Sequence, residues 1–394
     1  MKRTKTRGVR RSVRAAALGA SLSLLLVACG GGDEPAAPAP APAPADPADP
    51  VEEECGLELG GECIADADLW AAAQAEGGFT LYTALSELRE IAIIEVFQED
   101  TGLDVDIVRL GGGALVERIL SEFGAGVLQA DVIRQTDFSL ATQELEAGVF
   151  EVFCPLNIDR VADDLRFGED GCAMYASMQP TYAIAYNTAL VSAEEAPKTW
   201  TDLTDPKWEG RICTVHSGSG GSTWARDLWL RDTYGVEYFE AQAALNPVIL
   251  GAAGATTEVL TRGECAVAPN LPGTVSLAIE QGAPLQIVFP EDGVVAYSQW
   301  TGLSSAASNA NAAKVFLNWH MSIKGQTAVA ERAGDFPTVA GAPAPSVNAG
   351  AHGETIAPAP GDPRLVFPEA LPEYVTSRDE YVGDWFRIFG FSPN

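Results

Sequence analysis

Positive charge and histidine are scarce in this sequence. Its 394 residues include 25 Lys and Arg against 54 Asp and Glu, a formal net charge of −29, and only three histidines, His216, His320 and His352. Nucleic acid is therefore not an expected partner, because phosphate backbones are bound by clustered cations. The scattered histidines and the lack of any Cys-x-x-Cys spacing argue against a metal site. We expect neither a metal nor a cofactor.

Common phosphate-binding and nucleophile motifs are also missing. The stretch HSGSGGSTW, residues 216–224, is not followed by the Gly-Lys-Ser/Thr of a Walker loop and lacks the spacing of a nucleophile elbow. His216 stands next to Ser217, but adjacent side chains of an extended segment point to opposite faces. They do not form a nucleophile and its base, so we expect no catalytic residues and no enzyme.

The N-terminus resembles a bacterial lipoprotein signal. Seven Lys or Arg and no acid fall within the first 14 residues, an apolar run covers 15–28, and the box LVAC ends at Cys29. The run is too short for an ordinary transmembrane helix, and small residues precede the cleavage point. We expect residues 1–28 to be a signal peptide and Cys29 to carry lipid.

A tether follows the expected lipid anchor. Residues 30–50 are mostly Gly, Ala, Pro and Asp, with an Ala-Pro repeat that favours extended conformation. We assign 29–65 to the anchor and tether. No later hydrophobic run reaches membrane-spanning length. The prediction is an exported, membrane-anchored lipoprotein, in the periplasm or on the cell surface.

The cysteines fit an exported protein. Apart from Cys29 they number six, an even set that suits disulfides in an oxidising compartment. Several pairings are possible, and neighbours in sequence are favoured: Cys55 with Cys63, Cys154 with Cys172, and Cys213 with Cys265.

Strand and helix patterns alternate from residue 79. FTLYTAL predicts a buried strand, SELREIAIIEVFQEDTG predicts a helix with Leu88, Ile91 and Ile94 on one face, and LDVDIVRL predicts an alternating strand. This order repeats, which is typical of a parallel sheet covered by helices. A second series begins at residue 211. PTYAIAYN and VVAYSQWTGLS are predicted to cross between the two sheets.

The predicted fold class is therefore α/β, with two doubly wound lobes joined by crossover strands and a ligand cleft between them. Lobe 1 is assigned to residues 66–181 and 299–394, including a C-terminal tail, and lobe 2 to residues 182–298.

Three segments closely resemble class II periplasmic solute-binding proteins of ABC importers, in the branch of ferric-ion, thiamine and phosphonate receptors. They are YAIAYNTALVSAEEAPKTWTDLTDPKWEGRI, VFPEDGVVAY and NANAAKVFLNWHMSIKGQ, of which the run 200–210 is the most specific. The resemblance covers roughly residues 79–339. It implies a receptor whose lobes close on a small solute and present it to a permease in the cytoplasmic membrane. We expect the receptor to be a monomer.

The resemblance also implies an anion site. Ser217, Gly218 and Ser219 stand where ferric receptors hold a synergistic anion at a strand-to-helix turn, and Asn270 matches an asparagine of that site. The alternative is that Ser222 or Thr223 merely caps the following helix.

The ferric ligands themselves are replaced. Where ferric receptors have paired tyrosines, this chain has Leu271-Pro272-Gly273, and where they have a histidine it has Ser86. A hard trivalent metal needs anionic oxygen donors, so iron is in doubt. The phenols that remain to replace them are Tyr82, Tyr182 and Tyr297.

The candidate ligand-binding residues follow predicted strands or form the serine-glycine turn. They are Thr83, Ser86, Arg134, Thr136, Asp137, Ser217, Gly218, Ser219, Gly220, Gly221 and Asn270.

Hydroxyls, an amide and a guanidinium suit a phosphonate, phosphate ester or carboxylate. Asp137 would pair with Arg134 or receive the ammonium of a zwitterion. We therefore expect the receptor of a small anionic or zwitterionic solute. The alternatives are a ferric receptor with other ligands, a structural surface lipoprotein, and an enzyme on the same fold.

Overall fold

The computed structural model describes residues 54–345, 362–371 and 373–392. The expected signal peptide, Cys29 and most of the expected tether lie outside these residues. Within the described ranges, no helix is long and apolar enough to cross a membrane.

Seventeen strands are present in the described residues. In chain order they are β1 (Cys55–Leu59), β2 (Glu62–Asp66), β3 (Gly78–Thr83), β4 (Asp104–Arg109), β5 (Val132–Gln135), β6 (Phe150–Glu151), β7 (Arg166–Phe167), β8 (Met174–Gln179), β9 (Ala183–Asn187), β10 (Cys213–Val215), β11 (Val248–Leu250), β12 (Val267–Asn270), β13 (Leu285–Val288), β14 (Val294–Val295), β15 (Gln299–Ser304), β16 (Phe336–Pro337) and β17 (Leu365–Val366).

Twelve α-helices lie between and after them in the same described ranges. They are α1 (Ala67–Glu76), α2 (Glu87–Thr101), α3 (Gly112–Gly124), α4 (Phe138–Glu146), α5 (Gly221–Tyr234), α6 (Val236–Ala244), α7 (Ala253–Thr261), α8 (Pro272–Glu280), α9 (Ala310–Met321), α10 (Ile323–Ala328), α11 (Glu373–Thr376) and α12 (Arg378–Phe389).

Lobe 1 is built on a mixed sheet with the strand order β16-β8-β15-β5-β3-β4. Strand β3 is parallel to both β4 and β5, as the alternating pattern predicts, whereas β15 runs antiparallel between β5 and β8. The returning strand reverses the direction because it enters the sheet from the other lobe.

Lobe 2 has its own sheet, in which β9 lies antiparallel between β12 and β13. Strands β10 and β11 form a parallel pair, joined to β12 by a single bridge between Ile212 and Val267. The two segments that cross between the lobes pair with each other through Thr181 and Ala296. These crossings connect the two lobes.

Helix α2 forms where the sequence predicts it, but its buried face differs from the expectation. Leu88 is 52% exposed and Ile91 is 38% exposed, whereas Ile94 is buried as expected. The helix is rotated because two charged residues, Arg89 and Glu90, are fully buried beneath the cleft. Each of them has a buried partner of opposite charge, Asp335 and Arg134 respectively.

The folded body begins earlier than the expected end of the tether at residue 65. Strands β1 and β2 form an antiparallel hairpin closed by the Cys55–Cys63 disulfide. Ile64 and Ala65 join the hydrophobic core of lobe 1. The other two favoured disulfides are also present, Cys154–Cys172 and Cys213–Cys265, so the predicted pairing is confirmed.

The described part of the tail packs mainly on lobe 2, although the sequence assigned it to lobe 1. Strand β17 pairs in parallel with β14. Tyr374, Val382 and Trp385 join the hydrophobic cluster of lobe 2 that contains Trp224. The apolar face of the tail is thus covered by the lobe that offers an aromatic surface.

Candidate functional site

A cleft lies between the lobes, with a volume of about 480 Å³ that includes space open to solvent. Lobe 1 lines it with residues 84–86, Arg89, Arg109, 111–112 and Thr136, and lobe 2 with 219–220, Ser222, 252–254 and Leu271. Tyr297 and Gln299 contribute from the crossing segment and β15. The cleft is therefore bounded by both lobes and by the connection between them.

The two lobes touch at this cleft. A β-carbon added to Gly221 at the start of α5 would overlap the carbonyl oxygen of Thr136 in lobe 1. One added to Gly273 at the start of α8 would overlap the carbonyl oxygen of Ala333. Glycine at both positions lets the backbones of opposite lobes meet, so the two lobes are in direct contact beside the cleft.

Five helices begin at the cleft, and none of their N-cap residues makes a side-chain cap hydrogen bond. The N-cap residues, all of which line the cleft, are Ser86 of α2, Gly111 of α3, Gly220 of α5, Ala252 of α7 and Leu271 of α8.

Helices that begin elsewhere include three with side-chain caps, from Asp66, Asp137 and Ser322. The first N–H groups of a helix have no partner within the helix, and its dipole makes this end positive. Uncapped helix starts from both lobes therefore point backbone donors and partial positive charge at one space, which suits an anion.

Arg89 adds a full positive charge to the cleft. It is completely buried and forms an ion pair with Asp335. The Tyr297 hydroxyl is a further partner of the guanidinium, but none of its three nitrogens makes a hydrogen bond of good geometry with the described residues. Burial lowers the pKa of Arg89, yet a guanidinium remains charged at neutral pH. The donors that Asp335 and Tyr297 do not engage are available to a solute.

Other polar atoms at the cleft also lack partners in the described structure. They are the Oγ of Ser86 and both amide atoms of Gln299, all buried. Buried polar groups are almost always hydrogen-bonded in folded proteins. The unused donors and acceptors at the cleft therefore indicate a surface built to bind a polar solute.

The charge of the cleft is opposite to that of the whole chain. Of the described residues that line it, two are arginines, Arg89 and Arg109, and none is Asp or Glu. Arg109 lies at the edge, where its Nε donates a hydrogen bond to the Leu85 carbonyl at 3.1 Å. A chain with 54 acidic residues thus presents a positive cleft.

Four of the predicted binding residues line the cleft: Ser86, Thr136, Ser219 and Gly220. Ser219 Oγ donates a hydrogen bond to the Gly251 carbonyl at 2.8 Å, which fixes the turn against the start of the neighbouring helix α7. Gly221 packs against Thr136. The structure brings these residues together from both lobes.

The stretch HSGSGGSTW divides into two halves. Ser217 is buried, and Gly218 faces Val382 and Phe386 of the tail, so the first half packs into lobe 2. The second half opens to the cleft. Gly220 is the N-cap of α5 without a side-chain cap, and the hydroxyl of Thr223 donates to the Gly220 carbonyl. The capping alternative is wrong for this helix.

Arg134 and Thr83 lie beneath the cleft in a buried polar network. Arg134 is completely buried, forms an ion pair with Glu90, and contacts His320 Nε2 at 3.1 Å. Thr83 Oγ1 donates to the other oxygen of Glu90 at 2.6 Å. Burial and the charge of Arg134 hold the pKa of His320 well below its usual value. The structure thus places both residues in the interior of lobe 1.

Asp137 and Asn270 also have structural partners. Asp137 caps α4 through Ser139 and forms an ion pair with Arg378 of the tail, 2.9 Å from Nε to Oδ2. Asn270 donates to Thr257 Oγ1 at 3.0 Å and accepts from the Leu271 backbone at 2.8 Å. Neither residue is among those that line the cleft.

Sequence reasoning missed Arg89 and Gln299, and it named Tyr297 only as a candidate phenol for iron. Arg89 stands in the first helical turn after Ser86, so its position was visible in SELREIA, but Arg134 directly follows a strand and was preferred. Tyr297 and Gln299 lie two residues apart on one face of the crossing segment, and only the tertiary structure shows that this face meets the cleft.

The candidate phenols differ in whether they reach the cleft. Tyr297 lines the cleft, and burial raises its pKa although the charge of Arg89 opposes this. The Tyr82 hydroxyl instead bonds Glu122 and Arg118, outside the cleft. Within the described ranges, no group of three or more His, Cys, Asp or Glu side chains is arranged to hold a metal ion.

Two known proteins of similar sequence match more than half of this chain. One is an uncharacterized protein of Haemophilus influenzae, 25% identical over 263 residues that cover 64% of this chain and 75% of that protein. Another is a probable ABC transporter periplasmic-binding protein, y4fP, of Sinorhizobium fredii. It is 24% identical over 257 residues that cover 60% of this chain and 68% of the other.

Solved structures share the two-lobed fold. The periplasmic binding protein AfuA of Actinobacillus pleuropneumoniae, with fructose-6-phosphate bound, has a TM-score of 0.66 at 21% identity, covering 80% of this chain and 99% of AfuA. Iron-bound HitA of Pseudomonas aeruginosa has a TM-score of 0.62 at 22% identity, covering 78% and 99%. The family model of bacterial extracellular solute-binding proteins matches residues 92–355, about two thirds of the sequence. This chain belongs to the family of bacterial extracellular solute-binding proteins.

Proposed function

We propose that this protein is the solute receptor of an ABC importer and that its cleft captures a small anion, such as a phosphonate, a phosphate ester or a carboxylate. The observation that carries the proposal is the convergence of five uncapped helix starts with the buried Arg89, in a cleft whose described lining contains no acidic side chain. The relative y4fP is a probable ABC transporter binding protein.

Closure of the lobes is part of the binding mechanism. Lobe 1 supplies Arg89, Ser86 and the start of α3, whereas lobe 2 supplies the starts of α5, α7 and α8. An anion gains its full set of donors only when both lobes reach it, so binding favours the closed arrangement. The interlobe contact at Gly221 shows how closely the two sets of donors approach.

A purely anionic solute is favoured over a zwitterion. The carboxylate expected to receive an ammonium group, Asp137, is occupied by Ser139 and Arg378. The remaining described lining offers no acidic group to replace it. A bound ammonium would therefore lack a charged partner in the cleft.

A ferric receptor is the second candidate, because HitA is an iron-bound structure and Tyr297 lines the cleft. Two features oppose it. Pro272 and Gly273 occupy the positions of the paired tyrosines, and a side chain on Gly273 would collide with Ala333. Burial also raises the pKa of Tyr297, which disfavours the phenolate that Fe(III) requires.

The proposed cellular setting is outside the cytoplasm. Cys29 carries the lipid that holds the body at a membrane, and the permease of the importer is the partner. The receptor binds and releases its solute unchanged, so no turnover is expected.

Native mass spectrometry of protein purified without added solute tests this proposal. We expect a retained molecule that contains phosphorus or a carboxylate, released intact on denaturation. Ferric citrate added to the apo protein should give no visible phenolate-to-iron band. A retained neutral molecule without any anion, or a strong iron band, would contradict the anion proposal. Chemical conversion of the retained molecule during incubation would indicate an enzyme instead.

A further inference from the structure

The crossing segment separates the cleft from a second cavity. Tyr297 and Gln299 line the cleft, whereas Ser298 and Trp300 line a cavity on the opposite face. Successive side chains of an extended strand point to opposite faces, which explains this division. The second cavity, here called the hinge cavity, is bounded by the crossing segment and by Phe138, Ala162, Asp164, Leu165, Phe167, Gln179, Phe367, Glu369 and Ala370. It encloses about 1100 Å³, including space open to solvent.

Aromatic rings form much of the wall of the hinge cavity. Phe138, Phe167 and Trp300 contact one another with ring centroids 4.8 to 5.3 Å apart. Phe367 of the tail is 41% exposed and lies on the outer side. Aromatic faces attract both apolar groups and cations, because the ring face is electron-rich.

The hinge cavity is lined by acidic rather than basic side chains. Its described lining contains two carboxylates, Asp164 and Glu369, and neither Lys nor Arg. Glu369 accepts a hydrogen bond from the backbone N–H of Ser298 at 2.9 Å and a longer one from Trp300 Nε1 at 3.4 Å. These two bonds hold the carboxyl group in place at the aromatic wall.

We propose that the hinge cavity is a second ligand site, and that it takes a small organic cation with an apolar body, such as an aryl-alkylammonium. The aromatic faces of Phe138, Trp300 and Phe367 pack on the apolar part. The carboxylates of Glu369 and Asp164 neutralise the charge. This pairing of ring faces with carboxylates matches the chemistry by which proteins recognise substituted ammonium groups.

The lining of the hinge cavity predicts how the affinity for the cation depends on pH. Burial raises the pKa of Glu369 to about 8. The groups that surround it are Asp137 from α4, Asp164 from the 163–165 turn, Tyr297 from the crossing segment, and Tyr374 and Arg378 from the tail helices.

A cation favours the ionised form of Glu369, so its binding must displace a proton below this pKa. Affinity should therefore rise with pH up to about 8 and fall by up to about tenfold per pH unit below it. Replacement of Glu369 by Gln should remove most of this dependence.

Isothermal titration calorimetry on the folded chain tests the proposal, with benzyltrimethylammonium as the probe. Benzyl alcohol and benzoate are the neutral and anionic controls that share its ring. We expect one cation bound per chain, and no comparable binding of either control. At about pH 9, where Glu369 is ionised, Glu369→Gln should weaken cation binding at least tenfold. The exposed Glu380→Gln, on the same tail, is the matched control and should leave it unchanged.

Equal binding of benzyl alcohol and the cation, or an unchanged affinity in Glu369→Gln, would overturn the proposal, as would an absence of binding. If Glu369→Gln unfolds, as measured by circular dichroism, the exposed Asp164→Asn variant provides the same test of charge. The anion identified for the cleft should not displace the cation. Displacement would mean that the cation occupies the cleft rather than the hinge cavity.

Discussion

Gly221 of lobe 2 lies against Thr136 of lobe 1 so closely that a β-carbon on Gly221 would overlap the Thr136 carbonyl oxygen. Both residues stand at the cleft, at the first turn of α5 and just before α4. The contact records how near the lobes come when the cleft is closed. It also makes the closed arrangement sensitive to a single methyl group.

Gly221→Ala is therefore expected to hinder closure. We expect the affinity for the cleft anion to fall at least tenfold, about 1.4 kcal/mol, with little loss of thermal stability, because the open arrangement accommodates the methyl group. Calorimetry gives the affinity, and small-angle scattering shows whether the anion still compacts the protein. Gly113→Ala, on α3 with nothing within 4 Å of its added carbon, is the control. Wild-type compaction in Gly221→Ala would contradict the closure argument.

Arg89 should contribute to the affinity for the cleft anion through its positive charge. The single change Arg89→Gln leaves Asp335 buried without a partner, which costs about 3–5 kcal/mol of stability. The double change with Asp335→Asn removes both charges and should recover much of that stability. The double variant should still bind the anion at least tenfold more weakly than the wild type does. Thermal melts and calorimetry separate the two effects. As a control, Arg118→Gln changes a partly exposed arginine that is paired with Glu122. It should alter neither the stability nor the affinity. Full affinity in the double variant would rule out Arg89 as a ligand.

The two serines of the glycine-rich turn should behave differently. Ser217 is buried next to Asp227, so Ser217→Ala should lower the melting temperature and leave the affinity unchanged. Ser219 lies at the cleft and fixes the turn to Gly251, so Ser219→Ala should weaken binding with a smaller effect on stability. Melting curves and titrations of both variants check this. The opposite result would mean that Ser217, and not Ser219, lies at the cleft.

Stability should decrease as the pH rises, owing to Glu144. It is fully buried, with one oxygen accepting from Gln135 at 3.1 Å, and burial raises its pKa from 4.5 to about 8. The folded state holds this proton more tightly than the unfolded chain. Its contribution is therefore complete below about pH 4.5 and is lost as the pH passes through about 8. The loss is at most about 5 kcal/mol, since each pKa unit is worth about 1.4 kcal/mol.

Melting temperatures measured from about pH 6 to 9 check the contribution of Glu144. The wild-type value should fall, and that of Glu144→Gln should fall less. Glu146→Gln, an exposed change on the same helix, should follow the wild type. Identical slopes in all three would exclude a buried proton at Glu144.

The sequence predicted the alternating order of the elements and the pairing of the cysteines well, because both depend on local pattern. Periodicity placed α2 correctly but not its buried face, since Arg89 and Glu90 are held inside by partners far along the chain, Asp335 and Arg134. Such pairs join residues that no local pattern connects.

The candidate site was predicted in part for a similar reason. Ser86, Thr136, Ser219 and Gly220 were found because they follow strands or form a turn that leads into a helix. Their neighbour Arg134 lies within β5 and is turned inward to Glu90. The starts of α7 and α8 carry no polar side chain at the N-cap, so their contribution comes from backbone N–H groups that the sequence does not mark.

The contrast between an acidic chain and a positive cleft has a kinetic consequence. At a distance, a chain with a net charge of −29 repels an approaching anion, whereas within the last few ångströms the cleft attracts it. Added salt screens the distant repulsion more than the contacts inside the closed cleft. Capture of the solute should therefore become faster as ionic strength rises, the reverse of the usual behaviour of a charged ligand and its oppositely charged site. An acidic exterior of this kind makes the receptor better suited to saline surroundings than to dilute ones.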